Sequence, residues 1–368
     1  MGVGGRRLVR RSFRRKAPII DQYELFFATG IAKSENCLHD QLMKIDRLRV
    51  SEFGNPGEVL GFESGVSLES PSGTVMVKMH AAPVNPADLN LIEGTYGLHP
   101  ELPFTPGIEG AGVVVDSPVP EFAPGDAVVM LGRAGTWASH VAVNPQRLIK
   151  MPTGIDLQQA AMLKVNPATA WRLLRGCCKL NPGDWVVQNA GNSGVGRCLI
   201  QLAHAHGIRT ISMVRNANLA PELLKIGANH VIEDGADGLA AALEIMEGRH
   251  AALACNAVGG ESALRLMNLL QDGAPHVTYG AMARRPLTVP NALLIFRDIV
   301  IRGLWVTRWI DTAPLAEVRQ VYADLAGRVA NGTLVQPVDS SHPLADFDKA
   351  MQRQRDPERH GKVMFQMD

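Results

Sequence analysis

The stretch Asp184-Trp-Val-Val-Gln-Asn-Ala-Gly-Asn-Ser-Gly-Val-Gly196 sets glycines at 191, 194 and 196 between an apolar run and a segment with helical periodicity. Glycine lets a backbone come close to a bulky anion with no Cβ in the way. A helix beginning near Gly194 offers that anion free N–H groups and the positive end of its dipole. A glycine pattern alone is weak. In a strand–turn–helix context it points to a dinucleotide pyrophosphate, the other reading being a tight turn with no ligand. The next apolar run ends in Met213-Val214-Arg215-Asn216. An NAD site usually ends that strand with Asp or Glu, which bonds the ribose 2′-hydroxyl. Arg215 instead offers a planar, permanently charged fork suited to a 2′-phosphate, so NADPH is the expected cofactor. The plain alternative is an ordinary solvated arginine.

Metal chemistry lacks its parts, and no metal is expected. The eleven histidines show no zinc-like pairing. His204 and His206 are two apart and cannot share a helix face. Cys177 and Cys178 are adjacent, without ligand spacing, and read as two small apolar side chains at a helix end. Five cysteines without framework spacing fit a reducing compartment.

These residues need elements to hold them. Met43–Val50, Val75–His80 and Gly112–Val115 read as strands, with turns expected at Asn55-Pro-Gly57, Pro71-Ser-Gly73 and Pro124-Gly-Asp126. Residues 44–150 are therefore β-rich. From residue 160 the pattern changes. Trp185–Gln188 is a strand, and Val195, Leu199, Leu202 and Ala203 fall on one helix face. Strands 209–214, 230–232, 251–256 and 275–279 then alternate with helices 221–226, 239–246 and 262–270, which predicts a parallel, doubly wound α/β sheet. Residues 314–331 read as helix.

The chain of 368 residues holds 46% hydrophobic and 20% charged residues, with 37 Lys+Arg against 36 Asp+Glu, net +1. That composition is globular and excludes a disordered or collagen-like chain. No nucleic-acid or membrane partner is expected, since the basic excess is small and no apolar run is long enough to span a bilayer. The exception is residues 1–16, with Arg6, Arg7, Arg10, Arg11, Arg14, Arg15, Lys16 and no acid. This run is a passive extension, an organelle-targeting segment or a nucleic-acid-binding arm. Met43 opens the first strand, so residues 1–42 carry no assigned function, and the expected compartment is the cytoplasm, or the mitochondrion if 1–42 is a transit segment.

A β-rich first domain, a later nucleotide-binding domain and a chain end that returns to the first resemble the medium-chain dehydrogenase/reductase superfamily over residues 44–368. Zinc-dependent members carry Cys and His where this chain has Asn85-Pro86-Ala87-Asp88 and Gly107-Ile108-Glu109, so the resemblance is to the zinc-free branch. Within it, Asn166-Pro-Ala-Thr-Ala170, Gln188-Asn-Ala-Gly-Asn-Ser-Gly-Val-Gly196, Tyr279-Gly-Ala-Met282, Leu293-Leu-Ile-Phe-Arg-Asp298 and Arg302-Gly-Leu-Trp305 look like the trans-2-enoyl thioester reductases. Thr105-Pro-Gly-Ile-Glu-Gly-Ala-Gly112 reads more like a quinone oxidoreductase.

The resemblance implies a Rossmann sheet plus a β-rich GroES-like catalytic domain. The expected bounds are 1–42 for the extension, 43–165 with 310–368 for the catalytic domain, and 166–309 for the NADPH-binding domain. It implies reduction of the C2=C3 bond of an enoyl-CoA or enoyl-ACP, with NADPH:quinone or enone reduction as the alternative. A non-catalytic NADPH-binding protein with a nucleic-acid arm is the remote one. Asn90-Leu-Ile-Glu-Gly-Thr-Tyr96-Gly97 aligns Tyr96 with the family's proton donor, and a phenol with a pKa near 10 is protonated at neutral pH. Carried over by position, Asn166 and Thr169 lie near the nicotinamide. Asn192, Ser193, Gly194 and Val195 hold the pyrophosphate, and Arg215 with Asn216 holds the 2′-phosphate. Tyr279, Gly280, Ala281, Met282, Leu304, Trp305, Val306 and Lys362 complete the cofactor cleft. Trp305 and Trp309 can equally be core aromatics. Relatives are commonly dimers through the nucleotide-binding domain, so a homodimer is expected.

Overall fold

The computed structural model describes residues 43–367; the arginine-rich run 1–16 and Cys37 lie outside them. The strands, in chain order, are β1 (Met43–Val50), β2 (Leu60–Leu68), β3 (Val75–Pro83), β4 (Ala111–Asp116), β5 (Ala127–Met130), β6 (His140–Val143) and β7 (Leu148–Lys150). There follow β8 (Trp185–Gln188), β9 (Arg209–Val214), β10 (His230–Glu233), β11 (Leu253–Asn256), β12 (Pro275–Thr278) and β13 (Val300–Gly303), then β14 (Val338–His342) and β15 (Lys362–Gln366). The helices that matter below are α1 (Pro56–Val59), α2 (Pro86–Ile92), α3 (Leu157–Ala161), α4 (Asn166–Gly176) and α5 (Gly194–Ala205).

β1 and β2 form an antiparallel ribbon. The first large sheet runs β14-β15-β3-β4-β5-β7, with β6 also on β3, so the end of the chain returns to the first lobe. The second runs β10-β9-β8-β11-β12-β13 with every pairing parallel. Its central strands β8 and β11 are buried at every position. Helices cover both faces of such a sheet, which is why these strands are apolar runs rather than alternating ones. In order of appearance the strands sit 3-2-1-4-5-6, the doubly wound arrangement expected from the sequence. The order reverses between β8 and β11, and the glycine turn follows β8.

The two lobes share one core. Met364 of β15, Val129 of β5 and Leu199 of α5 lie in the same buried cluster. A second cluster fills the first lobe around Trp137 and Phe365, whose rings meet edge to face at 4.9 Å. On α5, Leu199, Leu202 and Ala203 are buried and Val195 is half-buried, as its periodicity predicts. Cys177 and Cys178 sit at the end of α4, half-buried, with burial raising both thiols.

One local expectation fails. Asn55-Pro-Gly57 is not a bare turn: it opens the short helix α1. Asn55 Oδ1 accepts the Gly57 N–H at 3.2 Å and Pro56 supplies a preset φ, so cap and proline nucleate a helical turn where the Pro-Gly pair suggests only a reversal.

Candidate active site

The carboxyl ends of the parallel strands gather most of the expected cofactor residues. Asn192–Val195 follow β8, Arg215 and Asn216 follow β9, Tyr279–Met282 follow β12, and Leu304–Val306 follow β13. At the start of α5 the Ser193 hydroxyl accepts the Gly196 N–H at 3.1 Å, while the N–H groups of Gly194 and Val195 have no partner among the described residues. Arg197 holds the turn from beneath: Nε donates to Asn192 O at 3.1 Å and the guanidinium reaches Glu222 at 2.7 Å. Arg215 is exposed; Asn216 accepts from Asn218 N at 2.9 Å and starts a short turn of helix. The Tyr279 hydroxyl is buried with no hydrogen-bond partner of good geometry among the described residues; burial raises its pKa, and the nearby Ser193 hydroxyl opposes the shift. Ala281 and Met282 are exposed on the rim.

Unspent N–H groups on a helix start, an orphaned hydroxyl beside the turn and a free guanidinium where an acid would repel phosphate make a donor set that fits a phosphorylated dinucleotide. β9 and β13 are four strands apart, about 19 Å at roughly 4.8 Å per strand. Arg215 therefore stands about 19 Å along this edge from the β13 end.

At that end the lobes touch. The helix α2 finishes in a turn in which Thr95 N and Tyr96 N both donate to Asn90 O, at 2.9 and 3.1 Å. Gly94 takes φ +69° there, a left-handed conformation that a side chain resists. The turn carries Tyr96 across to the parallel sheet, where the Trp305 indole N–H donates to its phenolic oxygen at 3.0 Å. Glu93 and Arg284 pair at 3.0 Å beside it. Burial raises the Tyr96 pKa, and the Trp305 hydrogen bond opposes the shift. The two tryptophans left open by the sequence part company. Trp305 stands half out of the protein at the Tyr96 contact. Trp309 lies in the core near Tyr322, its indole bonded to Glu317 at 3.1 Å.

Behind this cleft lies a buried ionic hub. Asp88 and Glu109 are fully buried, and Lys164 and Lys362 nearly so. Asp88 accepts from Asn85 N at 3.0 Å and Ile108 N at 2.9 Å. Glu109 accepts from Asn85 Nδ2 and from Val165 N, both at 2.8 Å. Lys164 Nζ donates to Ile108 O at 2.6 Å and Gly132 O at 2.8 Å. Lys362 Nζ donates to Asn85 Oδ1. Burial raises both carboxyls, Asp88 to about 7, and lowers both ammoniums, Lys164 to about 8, with each sign partly offset by the opposite charges nearby. Asn166 and Thr169, just beyond Val165, are buried; Asn166 Nδ2 donates to Gln336 Oε1 at 2.9 Å. A Cβ on Gly194 would lie 2.5 Å from Asn166 Nδ2, so the first turn of α4 sits directly against the glycine turn.

The structure thus brings Tyr96 to Trp305 and Asn166 to the glycine turn. It leaves Arg215 and Asn216 at the far end of the strand edge, and directs Lys362 into the hub rather than into open cleft. Lys164, Gln336 and the buried Asn189–Asn256 pair (2.8 Å) had no sequence signal, because each is a lone polar residue whose partners lie far along the chain. Asn85, Asp88 and Glu109 did carry one: they stand where metal-binding relatives have Cys and His. Among the described residues no three His, Cys, Asp or Glu side chains are grouped as a metal site requires.

Residues 194–322 match the family described as zinc-binding dehydrogenase, and residues 71–153 the alcohol dehydrogenase GroES-like domain. The chain is 38% identical over 318 residues to the mitochondrial enoyl-[acyl-carrier-protein] reductase of Xenopus tropicalis, covering 83% of this chain and 91% of that one. It is 36% identical over 347 residues to the Homo sapiens protein of the same name, covering 92% and 93%. Among solved structures, an NADPH:quinone reductase from Bacillus thuringiensis superposes with TM-score 0.83 at 27% identity, covering 89% of this chain and all of that one. The Etr1p/NADP/crotonyl-CoA complex superposes with TM-score 0.79 at 26% identity, covering 88% and 100%.

Proposed function

This chain belongs to the mitochondrial enoyl-[acyl-carrier-protein] reductase family, within the zinc-free medium-chain dehydrogenase/reductases, and on that premise we propose how its residues carry the activity. It is an NADPH-dependent oxidoreductase that reduces the C2=C3 double bond of 2-enoyl thioesters in fatty-acid metabolism. The fold alone does not separate this from quinone reduction, since reductases of both kinds superpose well. The relatives by sequence favour the first: the Xenopus tropicalis and Homo sapiens proteins at 38% and 36% identity are enoyl reductases, whereas among solved structures the quinone reductase (27%) and the Etr1p complex (26%) stand equally far away.

NADPH, when bound, supplies the hydride that adds to Cβ. The N–H groups of Gly194 and Val195 would hold the pyrophosphate, Arg215 the 2′-phosphate, and Asn166 and Thr169 the nicotinamide end. As hydride reaches Cβ, the double-bond pair moves toward the thioester carbonyl and Cα must gain a proton. Tyr96 donates it. Burial keeps the phenol protonated, and the Trp305 N–H, already on the phenolic oxygen, leaves the O–H free to point at substrate. The same N–H stabilises the phenolate left behind, which regains its proton from water. The Tyr96–Trp305 contact carries this reading. Its test is NADPH consumption with crotonyl-CoA: Tyr96→Phe keeps the shape, removes the proton and loses about 10²–10⁴-fold in kcat. Unchanged turnover would show that the proton comes from elsewhere.

The substrate arrives as a small-molecule thioester on CoA or acyl carrier protein. A homodimer is supported by β13, an edge strand with no outer neighbour among the described residues, and by the adjoining helix Asn291–Arg297, where Ile295 is 69% and Phe296 80% exposed. An apolar edge of this kind invites pairing with a second copy. A mitochondrial compartment, with the acid-free run 1–16 as a targeting segment, is supported by the names of the relatives.

A further inference from the structure

We propose that the buried hub of Asn85, Asp88, Glu109, Lys164 and Lys362 is a positioning device that keeps the proton donor and the hydride donor in register, with Glu109 its central residue. The proposal rests on the enoyl-reductase reading above.

Two helix starts meet at this hub, and each leads to one half of the reaction. Asn85 is the N-cap of α2, with Pro86 in its first turn, and Asp88 reaches back to the Asn85 N–H as the acidic half of a capping box. The other end of α2 is the turn that carries Tyr96. Val165 is the N-cap of α4, and its N–H is taken by Glu109. The first turn of α4 carries Asn166 and Thr169, and Asn166 touches Gly194 of the pyrophosphate turn. The Asn85 side chain joins the two starts. Its amide N–H donates to Glu109, and its carbonyl oxygen accepts from Lys362, which rises from β15 in the returning end of the chain. Lys164 pins the backbone just before Glu109.

A hub that only stabilised the fold could be apolar. Packed hydrophobic residues usually replace a buried ionic cluster at no loss of stability. This cluster is directional instead. Each Glu109 oxygen accepts one N–H, one from the α2 side and one from α4, so the distance between the helix starts is set by the width of one carboxylate. Two carboxyls face two lysine amines across it. A shift of either start by about 1 Å would misplace one donor relative to the other, and misplacement on that scale costs about 10²-fold in rate.

Glu109→Gln tests this, because a carboxamide accepts at one position only and must release either Asn85 or Val165. With crotonyl-CoA, kcat falls about 100-fold while NADPH affinity and the substrate KM stay within about threefold of wild type. The primary isotope effect with deuterated NADPH rises, because hydride transfer becomes limiting. Met246→Ala, a core truncation at the end of the helix Ala236–Ile245 in the buried cluster around β8, β9 and β11, lowers Tm without moving kcat or the isotope effect. Should Glu109→Gln fail to fold, Glu109→Asp keeps the charge, withdraws it by one methylene and is judged on the same readouts. The proposal is overturned if kcat stays within about threefold of wild type. It is equally overturned if kcat falls only in step with the fraction of NADPH-titratable sites and the isotope effect is unchanged. A wild-type enzyme inert toward crotonyl-CoA would sink the functional reading instead.

Discussion

The strand edge that faces the cofactor and the hub behind it are both rich in polar groups, and they differ in whether those groups are spent. At the edge, two N–H groups of α5, the Tyr279 hydroxyl and the Arg215 guanidinium have no hydrogen-bond partner among the described residues. In the hub, both oxygens of Asp88 and of Glu109 accept N–H donors, and both lysines donate. A buried polar group without a partner costs about 1–3 kcal/mol. A fold tolerates that where a ligand supplies the partner. In the proposal above the edge binds and the hub holds, and neither role is visible from residue type alone.

The comparison is sharpened by removing a group from each side. The largest effect is expected at the reacting end, where Tyr96→Phe loses about 10²–10⁴-fold in turnover with crotonyl-CoA, read by NADPH absorbance. If the loss appears in KM and not in kcat, Tyr96 binds substrate without donating a proton.

His276 challenges the rule from a third direction, being fully buried on β12 with neither ring nitrogen bonded among the described residues. Burial lowers its pKa to about 4. The unfolded chain takes up a proton below about 6.5 while the folded chain does not, so stability falls as pH drops from about 6.5 toward 4. The full difference is worth about 3 kcal/mol, and His276→Leu should flatten that limb of a chemical-denaturation series. An acid limb unchanged by the substitution would mean that the ring finds a partner in solution.

Next comes the far end of the edge. Arg215→Ala should weaken NADPH about 10- to 100-fold and leave NADH unchanged, measured by fluorescence titration. Equal weakening of both cofactors would place Arg215 on a group they share, not on the 2′-phosphate. The smallest effect on catalysis is expected at the outer strand: Phe296→Asp should shift the protein from dimer to monomer in light scattering. A dimer that survives the charge would move the contact away from the helix Asn291–Arg297.

Much of this was legible in the sequence, for physical reasons. The parallel sheet announces itself because strands buried on both faces must be apolar runs, as at Trp185–Gln188, and because helices between them repeat at 3.6 residues. The glycine turn is legible because its function is a local backbone shape. Tyr96 emerged only through likeness to a family, since nothing in one sequence marks which tyrosine faces a cleft. Trp305 and Trp309 could not be told apart, as both flank or sit in one short helix and only tertiary packing buries the second. The hub was invisible as a unit. Asn85 and Lys362 are 277 residues apart, and contacts of that range leave no spacing to read. At Asn55-Pro-Gly57 the turn signal was real, but the cap it shares with α1 decided the outcome.

The central claim is that the unspent edge holds NADPH with its reactive ring against the Tyr96 contact, for use on an enoyl thioester. One preparation of wild-type enzyme, given NADPH with crotonyl-CoA or with a small quinone under the same conditions, tests it most directly. The account predicts oxidation of NADPH with the thioester, matched mole for mole by saturated acyl-CoA, and little with the quinone. Rapid turnover of the quinone with no saturated product from the thioester would contradict it.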